Sequence, residues 1–433
     1  MKKYYLIFSL FTVFYASAFY ASAQDDTSIT YMFRLLLTDK GQAAYTLDNP
    51  QQFLSQKSIN RRIKQEIQVN ETDFPIAASY LEQITATGAD IVAQSKWVQT
   101  VTVKTTDSLL VDELLSLPFV DTLYLVYRKK LQPAEEQVRP ETPWVITSTT
   151  PYANIYGEGL AQIAMHNGEI LHEKGYRGEG MTIAVIDGGF YNADCIDAFD
   201  PNRIIGVRDF SYLQANPYRI RVNHGTQVLS CMLSNKSNIY VGTAPQADYY
   251  LFSSEVDVGS EEFPAEEDFW ISAIEYADSL GVDISTTSLG YHIFDLPEMN
   301  HTHAQLDGQS VLMSRAARMA AEKGILLLNA AGNEGNKDWQ KIMIPSDADK
   351  ILTVGAIQLD RSPSSFTSQG PTADGRTKPD VVALGTSTAT INGSGSLSRS
   401  NGTSFATPVM AGLAACLWQA FPEWTNLELI ACL

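Results

Sequence analysis

Five short apolar runs separated by helical patterns constrain the fold of this chain more than any other feature. They cover residues 182–186, 247–252, 282–288, 324–329 and 351–356. The first, Thr-Ile-Ala-Val-Ile, has no polar gap, the pattern of a strand covered on both faces. Helical patterns at 268–280 and 310–323 lie between later runs. Such alternation predicts an α/β architecture, a mainly parallel sheet with helices on both faces. Functional side chains in these sheets gather at the carboxyl ends of strands. Asp187, Ser288 and residues 329–333 all fall at such ends.

The 433 residues leave room for two or three domains. A net charge of −18 argues against nucleic acid or an anionic membrane as a partner. Lys2 and Lys3, an apolar stretch over 4–19 and the small-x-small triplet Ala21-Ser22-Ala23 read as a secretory signal, residues 1–23. The protein is therefore expected outside the cytoplasm, with no membrane association once the signal is cut. Cys195, Cys231, Cys416 and Cys432 contain no CxxC, so no zinc site is expected, and disulfides and free thiols both stay open.

Residues 28–130 read as a small α+β unit. Strands are expected at 31–37, 97–103 and 120–127, and helices at 49–67, 74–86 and 109–117. Arg61, Arg62 and Lys64 form a basic patch on the first helix, and Lys129-Lys130 reads as a solvated charge pair. Residues 131–150 are charged, carry Pro133, Pro140 and Pro143, and read as a linker with room for a maturation cut.

Four segments carry the chemistry. Asp187 closes the first apolar run and is followed by Gly188-Gly189. A carboxylate there needs a partner, because an unpaired buried charge is costly. His224, in Asn223-His224-Gly225-Thr226, opens a helical stretch and can move a proton near neutral pH. Ser404, in Asn401-Gly402-Thr403-Ser404-Phe405-Ala406-Thr407-Pro408, begins a helix whose free N–H groups suit a developing oxyanion. Asn333, after Ala330-Ala331-Gly332, supplies a side-chain amide.

The order acid, base, amide, serine is that of the subtilisin-like serine proteases, and these segments resemble that family in sequence and spacing from about Tyr156 onward. The resemblance implies a subtilisin-like catalytic domain over 151–433, preceded by a propeptide at 28–130 that assists folding and inhibits. It implies a secreted serine endopeptidase made as a zymogen, with Asp187, His224 and Ser404 as catalytic triad and Asn333 as oxyanion donor. Ser288, Leu289 and Gly290 would pair with an extended substrate, and Ala331 and Gly332 would line the pocket for the residue preceding the scissile bond. Partners would be protein or peptide substrates and the chain's own propeptide. Catalysis would need no cofactor and no metal. A structural calcium ion is common in secreted members, and the loop at 233–238 is similar in position to a calcium loop, but Lys236 argues against a cation there.

Several departures carry expectations of their own. Gly188 replaces the family's usual serine or threonine, and Tyr291 follows Gly290 where a small residue is usual, which would reshape the site. Residues 291–309 read as an insertion, and its His301-Thr302-His303 lacks a third metal ligand. Glu255, Asp257, Glu261, Glu262, Glu266, Glu267 and Asp268 read as a solvated acidic face, with selection of basic substrates as the alternative. Only 29 residues follow Ser404 (433 − 404), so the domain is expected to be truncated at its C-terminus. A catalytically silent peptide-binding relative is the competing reading. A serine esterase is disfavoured because Ser404 lacks the Gly-x-Ser-x-Gly elbow.

Overall fold

Residues 29–130, 135–147, 154–256 and 261–433 are described by the computed structural model. The expected signal at 1–23 and parts of the expected linker lie outside the described residues.

The N-terminal part runs β1 (Ile29–Leu37), α1 (Gln56–Lys64), α2 (Ala78–Ala86), β2 (Asp90–Ser95), β3 (Thr100–Thr105), α3 (Leu110–Ser116) and β4 (Val120–Lys130). Its antiparallel sheet has the order β2-β3-β1-β4. The two-residue period of β1 divides its work. Tyr31, Phe33, Leu35 and Leu37 enter a core with Ile84, Val101, Val103 and Leu114. Met32 and Arg34 face the rest of the protein. The first helix is shorter than the expected 49–67, because a 3-10 turn at Pro50 precedes it and the Ser55 hydroxyl caps it by accepting Ser58 N–H (3.1 Å). The third strand starts at Thr100 rather than 97, after Gln99 takes a left-handed φ of 57°.

The larger part holds α4 (Leu160–Ala164), α5 (Gly168–Glu173), β5 (Thr182–Asp187), β6 (Ile204–Asp209), α6 (His224–Leu233), β7 (Asn235–Lys236), β8 (Tyr240–Val241) and β9 (Asp248–Ser253). It continues with α7 (Ala265–Leu280), β10 (Ile284–Thr287), α8 (Leu312–Glu322), β11 (Leu326–Ala330), β12 (Leu352–Ile357), β13 (Val381–Leu384), β14 (Thr388–Ile391), β15 (Leu397–Ser400), α9 (Thr403–Ala420) and α10 (Asn426–Cys432). Seven strands form a parallel sheet in the order β13-β12-β11-β10-β5-β9-β6. Residues of one strand alternate between two cores. Ile183 and Val185 join α6 and α9 on one face. Ala184 and Ile186 join α7 and α8 on the other. The mainly parallel, doubly covered sheet is as expected. Edge strands β6 and β13 went unpredicted because neither is a wholly buried apolar run.

The two parts meet along α7, and here two expectations hold only in part. Of the basic patch, Arg61 and Arg62 are buried while Lys64 is exposed. Arg61 and Arg62 both pair with Asp278 near the end of α7, and Arg62 also pairs with Asp73 (2.9 Å). Lys323 reaches Asp73 from the larger part (2.7 Å). The acidic stretch is a solvated face only in part, with Glu262 exposed. Glu266, Glu267 and Asp268 are buried in the first turn of α7, and Arg34 bonds Asp268 (2.6 Å) and Glu267 (3.3 Å). Glu275 accepts the N–H groups of Lys96 and Trp97, both at 3.0 Å. Gly281 ends α7 with φ of 84°, and a Cβ there would come within 2.4 Å of Ser58 N, so helix α1 can seat only against a glycine. Lys129 pairs with Glu261, both partly exposed, and Lys130 is exposed.

Candidate active site

Asp187 is the last residue of β5 and fully buried. Its Oδ1 accepts Gly188 N–H (2.8 Å), and both carboxylate oxygens receive His224 Nδ1–H, at 2.8 and 3.0 Å. This contact fixes the tautomer and leaves Nε2 as the accepting nitrogen. Burial pushes the His224 imidazolium down, but the Asp187 carboxylate outweighs it and holds the group above the ordinary histidine range. His224 opens α6, and the following Gly225 is what lets the helix approach. A Cβ there would lie 2.4 Å from Gly189 O and 3.1 Å from Asp187 Cβ.

Ser404 lies in the first turn of α9, nearly buried. The His224 ring packs against the next residue, Phe405, at 5.7 Å between centroids. The Ser404 hydroxyl donates to Ser288 O (3.3 Å), not to the imidazole. Pro408 has no N–H, so the Ser404 carbonyl lacks its helical donor, and Ser288 Oγ fills that role (2.8 Å). Ser288 and Ser404 are thus tied in both directions.

Asn333 meets the same helix end. Thr403 N–H (2.9 Å) and Thr403 Oγ1–H (3.1 Å) both donate to Asn333 Oδ1. With its oxygen held, the side chain presents Nδ2–H, and Ser404 N–H, in the first helical turn, is likewise left unpaired by the helix. Thr403 Oγ1 also accepts Gly332 N–H (3.2 Å). Sequence reasoning missed this threonine as a positioning residue, although it stands inside the serine motif. Gly332 has φ of 109°. Leu289 and Gly290 continue past the end of β10, and Leu289 O accepts Asn329 Nδ2–H (3.2 Å). Ala331 is buried, its N–H bonded to Val354 O (3.0 Å).

Tyr291 does not line the cleft. It turns inward, is buried, stacks on Phe294 and donates to Glu255 Oε1 (2.5 Å). Glu255 leans on Gly188, where a Cβ would come within 3.2 Å of Glu255 Cγ. Glu255, Glu262 and Glu266 bring carboxylate oxygens within 4.8 Å of one another. Burial, then Glu262, then Asp187, pushes the Glu255 carboxyl up to about 8, and Glu262 and Glu266 are raised beside it, so the three carboxyls titrate as a cluster above the usual carboxylate range. His301 goes to Glu267 (2.6 Å) and His303 to Trp339 O (3.1 Å), so the two diverge rather than converge on a metal. The residues at 233–238 do not fit a calcium ion, since Lys236 pairs with Asp197 and supplies the positive charge there. All four cysteines are free thiols, three of them buried.

The Subtilase family model matches residues 178–433. The Peptidase S8 propeptide domain of Bacteroidota matches residues 32–142. Subtilisin E of Bacillus subtilis (strain 168) is 30% identical over 281 residues, covering 64% of this chain and 65% of that protein. Subtilisin of Bacillus pumilus is 30% identical over 274 residues, covering 62% of this chain and 87% of that protein. A solved cold adapted subtilisin-like serine proteinase aligns at 25% identity with a TM-score of 0.47, over 59% of this chain and 81% of that one. The chain spans about two thirds (65%) of the length of Subtilisin E.

Proposed function

This chain belongs to the subtilase family, and from that premise we propose that it is a serine endopeptidase made as an exported zymogen. The observation that carries the reading is the buried Asp187 bonded to His224 Nδ1 beside the helix end that holds Ser404. Nε2 takes the Ser404 proton as Oγ bonds to the substrate carbonyl carbon. The oxyanion that forms is met by Ser404 N–H and Asn333 Nδ2–H. Nε2 then protonates the leaving amine as the C–N bond breaks, and water, activated by the same imidazole, hydrolyses the acyl ester. Substrate extends along Ser288-Leu289-Gly290 through main-chain bonds. Residues 28–130 act as the propeptide, removed after a cut within 131–150, and residues 1–23 direct export. No helix among the described residues is long and apolar enough to cross a membrane.

The reading requires that a fluorophosphonate probe label the folded protein and that Ser404→Ala abolish labelling. Self-processing to a new N-terminus should vanish in the same variant. A folded wild-type protein that never labels would sink the proposal. The competing reading, a silent peptide-binding relative, draws support from the Ser404 hydroxyl bonding Ser288 O instead of His224. Peptide binding without turnover would favour it.

A further inference from the structure

We propose that Met343 closes the pocket for the residue preceding the scissile bond and restricts that residue to glycine, alanine or serine. This rests on the protease reading above and adds a substrate class to it.

Two short segments form walls beside the nucleophile. One is Ser288-Leu289-Gly290, tied to α9 by the Ser404 hydroxyl on Ser288 O (3.3 Å). The other is Ala331-Gly332, tied to α9 by Gly332 N–H on Thr403 Oγ1 (3.2 Å). The gap between these walls therefore opens next to Ser404. The loop after β11 bridges it. Met343 N–H donates to Ala331 O (3.1 Å), and Ile344 exchanges two backbone bonds with Tyr291 (2.9 and 3.1 Å).

The Met343 side chain lies between the walls. A Cβ on Gly290 would come within 2.9 Å of Met343 Cβ, and a Cβ on Gly332 within 2.8 Å of both Met343 Cγ and Sδ. Such distances are too short for real Cβ contacts, so the two glycines make room for the methionine. Glycine at both walls would by itself leave a slot for a long or flat substrate side chain. Here the thioether occupies that slot. Met343 is half-buried, so part of its side chain stays accessible. Glu334, two residues beyond Gly332, is already engaged by Lys337 (2.8 Å) and faces His292 (3.8 Å), so its charge is partly met within the chain.

The test uses the full-length protein, allowed to mature, with quenched peptides that differ only in the residue preceding the cut. Glycine, alanine, leucine, phenylalanine and lysine are compared, with cleavage positions read by mass spectrometry. Wild type should prefer alanine to phenylalanine in kcat/KM by at least about tenfold, since a few methylenes of pocket space discriminate by roughly 10–200-fold. Met343→Gly should raise phenylalanine relative to alanine by about 10–100-fold, with Met343→Ala intermediate. The backbone bond from residue 343 to Ala331 survives both changes. An unchanged ratio in both variants, or a wild type that prefers phenylalanine or lysine, would overturn the proposal. Fluorophosphonate labelling of every variant separates the two readings. Labelled enzymes with an unchanged ratio reject the role of Met343 alone, whereas a folded wild type that does not label rejects the protease itself and this inference with it.

Discussion

Asp187 shows how much one residue's surroundings decide. Locally it is an aspartate before two glycines, which a loop would suit equally well. Once buried at the end of β5 it must be paired, and His224 is the partner. The raised His224 group sets a pH dependence. The imidazole must be neutral to accept a proton, so kcat/KM should rise through a midpoint above the ordinary histidine value of about 6.5. Asp187→Asn should move that midpoint down and lower kcat by on the order of 10⁴, as read from pH–rate profiles. A midpoint that does not move would mean the pair is not coupled. Thr403 offers a second test. Thr403→Val keeps shape but removes the hydroxyl from Asn333 and Gly332, so kcat should fall about tenfold with KM little changed, while Asn333→Ala should cost about 3–4 kcal/mol of transition-state stabilisation. Neither Thr403 nor Met343 was legible as a functional residue, because their roles come from segments distant in sequence.

Elements differed in how openly they declared themselves. β5 and β11 are wholly buried apolar runs and were visible at once. The first turn of α7 misled, because acidic residues in a row normally face water. Helix α7 instead turns them toward β1, where Arg34 occupies an inward position of an otherwise apolar strand. Sequence shows Arg34 and Asp268 as charges, while only the packing of the N-terminal sheet against helix α7 makes them a pair. Arg34→Ala should then leave Glu267 and Asp268 buried with one cation fewer, and destabilise the full chain by about 3–5 kcal/mol. Denaturant melts in a Ser404→Ala background would measure this without self-cleavage. A loss under about 1 kcal/mol would mean the contact behaves as an exposed ion pair.

At the scale of the whole molecule, buried carboxyls make stability depend on pH from both sides. Burial would raise Asp73 and Asp278, but Lys323 and Arg62 outweigh it at Asp73, and Arg62 and Arg61 at Asp278, so both are held below the usual carboxylate range. Their stabilising contribution is complete above about pH 4 and is lost as pH falls through their folded values. Glu255 has the opposite sign. Raised to about 8, it favours the folded state below the unfolded carboxyl value of about 4.5, and that contribution is lost as pH climbs through 8. Glu255→Gln should therefore flatten the alkaline decline of the melting temperature between pH 5 and about 9 while leaving the acid side unchanged. Equal slopes in variant and wild type would refute the assignment. By itself the sequence determined the α/β class, the parallel sheet, the family and the candidate residues Asp187, His224, Asn333 and Ser404, because these depend on local pattern and on short motifs. Only the tertiary structure decided that Tyr291 turns inward, that Glu266, Glu267 and Asp268 are buried beside the N-terminal sheet and that Met343 stands between two glycines. Each of those outcomes depends on which distant surface packs against a residue, and that is a property of the folded chain.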